Sequence, residues 1–128
     1  MAKGRKRQSD EYTSDDVVEH LLAYDESQDV ENLEYQEQEI RQHPRWRLAL
    51  VSLTDLNVPP AEPGWPDEWT VEQYLDMSPA TVPAIILVPA RPDRYFYRGA
   101  PYDILDGRHR VAVAEQRSLE GHLAFFPV

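Results

Sequence analysis

The sequence predicts an α+β (α/β mixed) fold, in which flanking helices cover a small mixed sheet. The chain has 128 residues, which is long enough for one domain with its own hydrophobic core. Apolar residues recur at helical spacing in some segments and form short runs bounded by prolines in others. In chain order these segments predict helix, helix, strand, helix, strand, strand, helix and strand.

Two amphipathic helices are predicted in the first third of the chain. Residues 14–24 begin with Ser14 as the candidate N-cap, followed by acids at the positive end of the helix dipole. Residues 30–42 carry a thinner apolar stripe, and Pro44 ends that helix. We expect both helices to belong to residues 1–46, a basic arm followed by an acidic helical extension that lies outside the main body. Its first ten residues are expected to be mobile.

The main body is predicted over residues 47–128. A strand over Leu48–Leu53 precedes a proline-rich loop, and a helix follows over residues 66–77. A second helix is predicted over Arg110–Arg117. The other three strands of this order are predicted at Val82–Pro89, Tyr102–Leu105 and residues 121–128. A further short strand at Tyr95–Tyr97 is expected to precede the turn before Tyr102.

The composition of the chain argues against several classes of function. The net charge of −10 argues against broad non-specific binding to nucleic acid, so a nucleic-acid partner is not favoured. The absence of cysteine excludes disulfides and thiol catalysis. No apolar run approaches the roughly 20 residues of a membrane helix, and no secretory signal is evident at the start. We therefore expect a cytoplasmic protein with no membrane contact.

The segment YDILDGRHRVAVAEQ, residues 102–116, contains several adjacent polar and charged residues at a predicted strand-to-helix junction. A strand that turns at Asp106 and Gly107 into a helix exposes the first helical N–H groups. Arg108, His109 and Arg110 add donors at the same place, and phosphate is the ligand that best suits such an arrangement. The alternative is an ordinary helix start with solvated arginines. Asp106 is a candidate N-cap, metal ligand or base.

Residues 102–128, YDILDGRHRVAVAEQRSLEGHLAFFPV, resemble the ParB/sulfiredoxin superfamily. In many members a strand leads into Asp-Gly-His-His-Arg, then an Ala-rich helix, a glycine-containing turn and a last short strand. The segments VSLTDLNVPP and VEQYLDMSPATVPAIILV are similar to the family's opening strand and to its helix followed by a strand. The resemblance covers residues 47–128.

The resemblance implies a nucleoside triphosphate, ATP or CTP, together with Mg²⁺, as the ligand of the strand-to-helix turn. The phosphates would lie on Gly107, Arg108, His109 and Arg110, and Asp106 would orient the turn or hold the metal. Phosphoryl transfer or hydrolysis would follow, with Asp106 and His109 as catalytic candidates.

Relatives of the kinase-like branch place a catalytic carboxylate in the region of the first loop and helix. Glu68 and Glu72 are the candidates here, since they are spaced to share one helix face. The competing interpretation is that these acids favour a helix N-terminus. Arg98, with Arg91 and Arg94, either lines the phosphate site or decorates a solvent edge.

Departures from the family pattern restrict the activity. Sulfiredoxin chemistry needs a cysteine that this chain lacks. Partition proteins carry Glu where Arg108 stands and continue into a long DNA-binding region, so a role in chromosome partition is not expected. The motif is closest to the kinase-like branch, with Arg108 in place of the usual histidine.

Two further function classes stay open. In one, the protein is a non-catalytic interaction or regulatory module that uses residues 10–42 to bind a protein partner. In the other, it is a DNA-processing nuclease, against which the acidic charge counts. The three tryptophans are expected to pack in the core or anchor loops more often than to stack on a base. The histidines outside the junction show no metal-ligand spacing.

Overall fold

The computed structural model describes residues 11–26 and 29–128, and within these ranges the chain forms four α-helices and a six-stranded mixed sheet. The predicted α+β fold is therefore confirmed. The expected mobility of the first ten residues lies outside the described residues. In chain order the elements are β1 (Glu11–Thr13), α1 (Ser14–Tyr24), α2 (Val30–Arg41), β2 (Arg45–Ser52), β3 (Leu56–Asn57), α3 (Glu68–Leu75), β4 (Ile85–Pro89), β5 (Tyr102–Asp106), α4 (Arg108–Gln116) and β6 (Gly121–Pro127).

The sheet has the strand order β1-β2-β6-β4-β5-β3. The pairs β1–β2, β2–β6 and β4–β5 are antiparallel, whereas β6–β4 and β5–β3 are parallel. Strand β6 follows the other strands in the chain, yet it lies inside the sheet between β2 and β4. Strand β5 is also internal, so the turn after it is held by paired strands.

Helices cover both faces of the sheet. Helices α1 and α2 bury Val17, Leu21 and Ile40 against one face, where they meet Trp46 and Phe125. Helix α4 covers the opposite face through Val111, in a cluster that contains Ile85, Leu87 and Ala124. Helix α3 packs against α4. The site described below lies where α4 leaves β5.

The acidic segment belongs to the core rather than to its outside. Val17, Leu21 and Ile40 are fully buried, and β1 pairs with the start of β2. The expected helices within residues 14–42 therefore form, and they pack on the sheet of the main body. That residues 47–128 fold independently of them stays a prediction. The acids that suggested a separate extension mark only the exposed faces of α1 and α2, whereas the narrow apolar stripes decide the packing.

Two local predictions also need correction. The N-cap of α1 is Thr13 rather than Ser14, because Thr13 Oγ1 accepts the Asp16 N–H while the Asp16 carboxylate accepts the Thr13 N–H. Residues 95–97 form no strand but lie in a turn-rich loop between β4 and β5. Backbone bonds from Arg94 to Arg91 and from Tyr97 to Arg94 close these turns. Their aromatic side chains had suggested a strand, but local turn chemistry overrides that tendency.

No helix in the described part of the chain has the length and apolar character that crossing a membrane requires.

Candidate functional site

The strand-to-helix junction forms as predicted. Strand β5 ends at Asp106 and α4 begins at Arg108, with Gly107 as the N-cap. Gly107 has a φ of 118°, a conformation that L side chains rarely adopt. A Cβ on Gly107 would also lie 2.5 Å from Ile85 Cγ2. The glycine therefore permits both the turn and the close approach of α4 to β4, and Asp106 is not the cap.

Arg110 is fully buried behind the turn. Its Nε donates to Glu26 Oε2 at 2.9 Å, and its Nη2 donates to Asp106 Oδ2 at 2.8 Å. Its Nη1 donates to the Ala84 carbonyl at 2.8 Å. All of these partners belong to the chain, and Arg110 does not line the cavity described below. Arg110 is therefore a core cation in this arrangement, not the exposed phosphate ligand that we expected.

A carboxylate from the acidic segment occupies the start of α4. Glu26 Oε1 accepts both the backbone N–H and the Nδ1–H of His109, each at 3.0 Å, while Oε2 accepts from Arg110. The Glu26 side chain is only 6% exposed. The anion that the helix N-terminus favours is thus supplied by the protein itself. Sequence reasoning missed Glu26 because it lies some eighty positions before the motif, among many other acids.

Both ring nitrogens of His109 are engaged. The Asp67 N–H donates to Nε2 at 3.0 Å, so the ring proton lies on Nδ1 and is donated to Glu26. The ring also packs against Trp65, with centroids 4.2 Å apart. Asp67 is the N-cap of α3, so His109 ties the start of α3 to the start of α4. In this arrangement His109 has no free nitrogen to act as a base.

The pKa values of the two carboxyl groups around Arg110 are shifted in opposite directions. Burial raises the pKa of Asp106 to about 6, and the Glu26 charge adds to this against the influence of Arg110. Burial also opposes ionisation of Glu26, but the hydrogen bonds from His109 and the Arg110 charge outweigh it and lower the Glu26 pKa. The difference follows from the number of donors, since Glu26 receives three of them and sits on the helix N-terminus.

A cavity of about 430 Å³ opens in front of the turn. Its wall includes the turn itself, from Asp106 to His109, and Glu26. It is also lined by aromatic and cationic side chains, namely Tyr35, Trp65, Phe96 and Arg94. The size lies in the range of small-molecule sites, and the mixture of aromatic and cationic groups suits an anion that carries a ring.

Arg108 has the environment that was expected of a ligand-binding cation. Its guanidinium stacks on the Trp65 ring at 4.1 Å from the centroid, and partial burial lowers its pKa. No carboxylate among the described residues lies within ion-pair distance of it. Arg94 is similar, since its nearest polar contact is the Tyr35 hydroxyl at 3.3 Å. Two guanidinium groups without an acidic partner in the described ranges therefore border the cavity.

Three other candidate residues lie away from this cavity. Glu68 and Glu72 are exposed on α3 and are not part of its wall. Arg98 is also outside the wall, and its guanidinium donates to the Val58 carbonyl at 3.4 Å. The expected catalytic pair on α3 and the expected contact from Arg98 are therefore not part of the cavity wall in this arrangement.

Asp106 does not offer a metal site in this arrangement. Its Oδ1 accepts the Glu26 N–H at 3.3 Å and its Oδ2 accepts from Arg110. No group of three or more potential metal ligands occurs among the residues that the structure describes. Mg²⁺ at nucleotide sites prefers one or two accessible carboxylates together with phosphate oxygens. The residues present do not fit a magnesium ion held by Asp106.

The tryptophans divide between core and cavity. Trp46 is fully buried beneath α1 and α2, as expected of a core residue, and Trp69 is largely exposed. Trp65 instead contacts both His109 and Arg108 at the cavity wall. Of the three, Trp65 is the one that lines the cavity.

Comparison of the chain with family models, with curated proteins and with solved structures finds no match. The resemblance to the ParB/sulfiredoxin superfamily therefore stays a prediction.

Proposed function

We propose that this protein is a nucleotide-binding protein of the ParB/sulfiredoxin type, which holds a nucleoside triphosphate in the cavity beside the β5–α4 turn. The observation that carries the proposal is Arg108, a partly buried guanidinium at the cavity wall with no acidic partner among the described residues. A partly buried cation that makes no ion pair favours an anionic ligand at that position.

The aromatic side chains support a ligand that carries a ring. Trp65, Phe96 and Tyr35 line the same cavity as Arg108 and Arg94. Base–aromatic stacking contributes about 1–3 kcal/mol per base. A nucleotide would use both kinds of group, with its phosphates on the guanidinium groups and its base on a ring.

Short-range contacts must supply the affinity, because the net charge of −10 repels an anion at long range. Charge-assisted hydrogen bonds contribute about 1.5–3 kcal/mol each. Two arginines and one stacked base therefore approach the roughly 8 kcal/mol of a micromolar complex.

The proposal is limited to binding. His109 has no free nitrogen, the candidate acids on α3 lie away from the cavity, and Asp106 accepts hydrogen bonds on both oxygens. No contact in the described structure favours the nuclease or partner-binding alternatives over nucleotide binding.

The test is isothermal titration of the wild type with ATP, CTP and GTP, repeated on Arg108→Ala. We expect the wild type to bind at least one of them, and Arg108→Ala to weaken that binding about tenfold, since one charge-assisted contact is lost. Arg47→Ala is the matched control, because Arg47 is an exposed arginine outside the cavity wall. Absence of binding by the wild type at millimolar nucleotide, or equal affinities of the two variants, would contradict the proposal.

A further inference from the structure

The start of α4 is a complete anion-binding site whose occupant is a side chain of the same protein. The backbone N–H and Nδ1–H of His109 and the Nε of Arg110 converge on the Glu26 carboxylate at 2.9–3.0 Å. The donors are themselves fixed, since Arg110 also bonds to Asp106 and His109 is held by the Asp67 N–H. The geometry is therefore that of a preorganised oxyanion site.

Glu26 also forms part of the cavity wall, although it comes from the loop between α1 and α2. Its carboxylate also accepts from Arg110, a residue that does not itself line the cavity. The cavity that supports nucleotide binding and the anion site are consequently adjacent, because Glu26 and His109 belong to both.

The local charge balance shows what Glu26 does to an incoming anion. Glu26 and Asp106 place two carboxylates around the single guanidinium of Arg110. With both ionised, this buried group has a net negative charge and repels phosphate. Without Glu26, Asp106 and Arg110 would still pair, whereas the two His109 N–H groups and Arg110 Nε would lose their acceptor.

We propose that Glu26 is a built-in competitor of the ligand's phosphate, which holds the donors of His109 and Arg110 and thereby limits anion binding at the start of α4. This inference rests on the proposed nucleotide function for its ligand. It adds a regulatory role for a residue outside the region that resembles the superfamily. A phosphate gains these donors when the Glu26 carboxylate leaves them. The observed free energy of phosphate binding is therefore the difference between the interaction of the donors with phosphate and their interaction with Glu26.

The test measures binding of inorganic phosphate and of the nucleotide to Glu26→Ala by isothermal titration. We expect phosphate to bind this variant at least about tenfold more tightly than the wild type, within the usual range of coupling between sites. Glu34→Ala is the matched control, since Glu34 is an exposed acid of the same segment outside the cavity wall. It removes the same formal charge without freeing the donors, so its affinity should equal that of the wild type.

A second variant keeps the test decisive, because losing one partner of a buried ion pair can prevent folding. Glu26→Gln preserves the side-chain volume and removes the charge, and we expect its phosphate affinity to lie between those of the wild type and Glu26→Ala. If Glu26→Ala folds only when phosphate is added, as followed by near-ultraviolet circular dichroism, phosphate replaces the carboxylate and the inference holds.

The outcomes separate this inference from the proposed function. Nucleotide binding by the wild type with unchanged phosphate affinity in both Glu26 variants overturns the competitor role alone. Tighter phosphate binding by Glu26→Ala without nucleotide binding by any variant overturns the nucleotide function and leaves only an internally filled anion site. No binding of either probe by any variant overturns both.

Discussion

Arg108, His109 and Arg110 are neighbours in the sequence but have three different environments. Successive residues of a helix point about 100° apart around its axis. At the start of α4 this rotation turns Arg108 to the cavity and Arg110 to the buried carboxylates, with His109 between Trp65 and Glu26. A motif of three adjacent donors therefore need not place three donors on one ligand.

Both the backbone conformation and the packing at position 107 require glycine. We expect Gly107→Ala to destabilise the fold by at least about 3 kcal/mol, because it adds strain at positive φ to a clash with Ile85. The measurement is urea unfolding at equilibrium. Gly99→Ala is the control, since Gly99 has a φ of 88° with nothing within 4 Å of the added Cβ. It should cost about 1 kcal/mol, and equal losses in the two variants would show that the contact with Ile85 is unimportant.

The sequence predicts the position of the turn because its signals are local. Glycine between an apolar strand and an Ala-containing helix specifies the boundary at Asp106–Gly107 directly. The local sequence does not show which group binds at the start of α4, because the packing of α1 and α2 on the sheet brings Glu26 to Arg110. One acid among the twelve in residues 10–39 carries no mark of that contact in the sequence.

Helices α1 and α2 show how few apolar residues an element needs in order to join a core. Their exposed faces are acidic, and composition alone suggests a detachable extension. Val17, Leu21 and Ile40 nevertheless reach the sheet and are fully buried. The run Val82–Pro89 was easier to predict as a strand, because β4 is covered by helices on both faces and its apolar residues are continuous.

Two adjacent leucines of α1 test whether the helix belongs to the core. Leu21 is fully buried, whereas Leu22 is 63% exposed. We expect Leu21→Ala to lower the free energy of unfolding by about 2–5 kcal/mol, and Leu22→Ala by less than about 0.5 kcal/mol. Urea titrations of the two variants give the comparison. Small and equal effects would support the predicted division into an acidic extension and an independent body.

The stability of the whole molecule should depend on pH through its buried titratable groups. The raised pKa of Asp106, about 6 against 3.8, means that the folded protein binds this proton more tightly than the unfolded chain. Asp106 therefore adds stability as the pH falls from 7 towards 5. Burial lowers the pKa of His20 and of His122, so these groups remove stability as the pH falls through 6.5. The wild type alone cannot separate these opposing contributions.

Asp106→Asn separates them, because it removes one titration and leaves the histidines in place. On acidification from pH 7 to pH 5, the wild type should gain about 1 kcal/mol of stability relative to Asp106→Asn. Thermal unfolding of both proteins across this range gives the difference. Parallel pH profiles would show that the Asp106 carboxyl keeps an ordinary pKa in the fold. The lowered pKa of Glu26 acts below this window, where its contribution is lost as the pH falls below about 4.5.

The position of β6 in the sheet constrains the route by which the molecule folds. Strand β6 pairs with β2 over seven registered residues and with β4 on its other side, although the rest of the sheet precedes it in the chain. Contact between Ser52 and Gly121 closes a loop that contains three other strands and two helices. The entropy of closing so long a loop is lost before most of the sheet can pair. Hairpin β4–β5 and helix α4 can form locally, but the central sheet and the layer of α1 and α2 upon it depend on the arrival of β6.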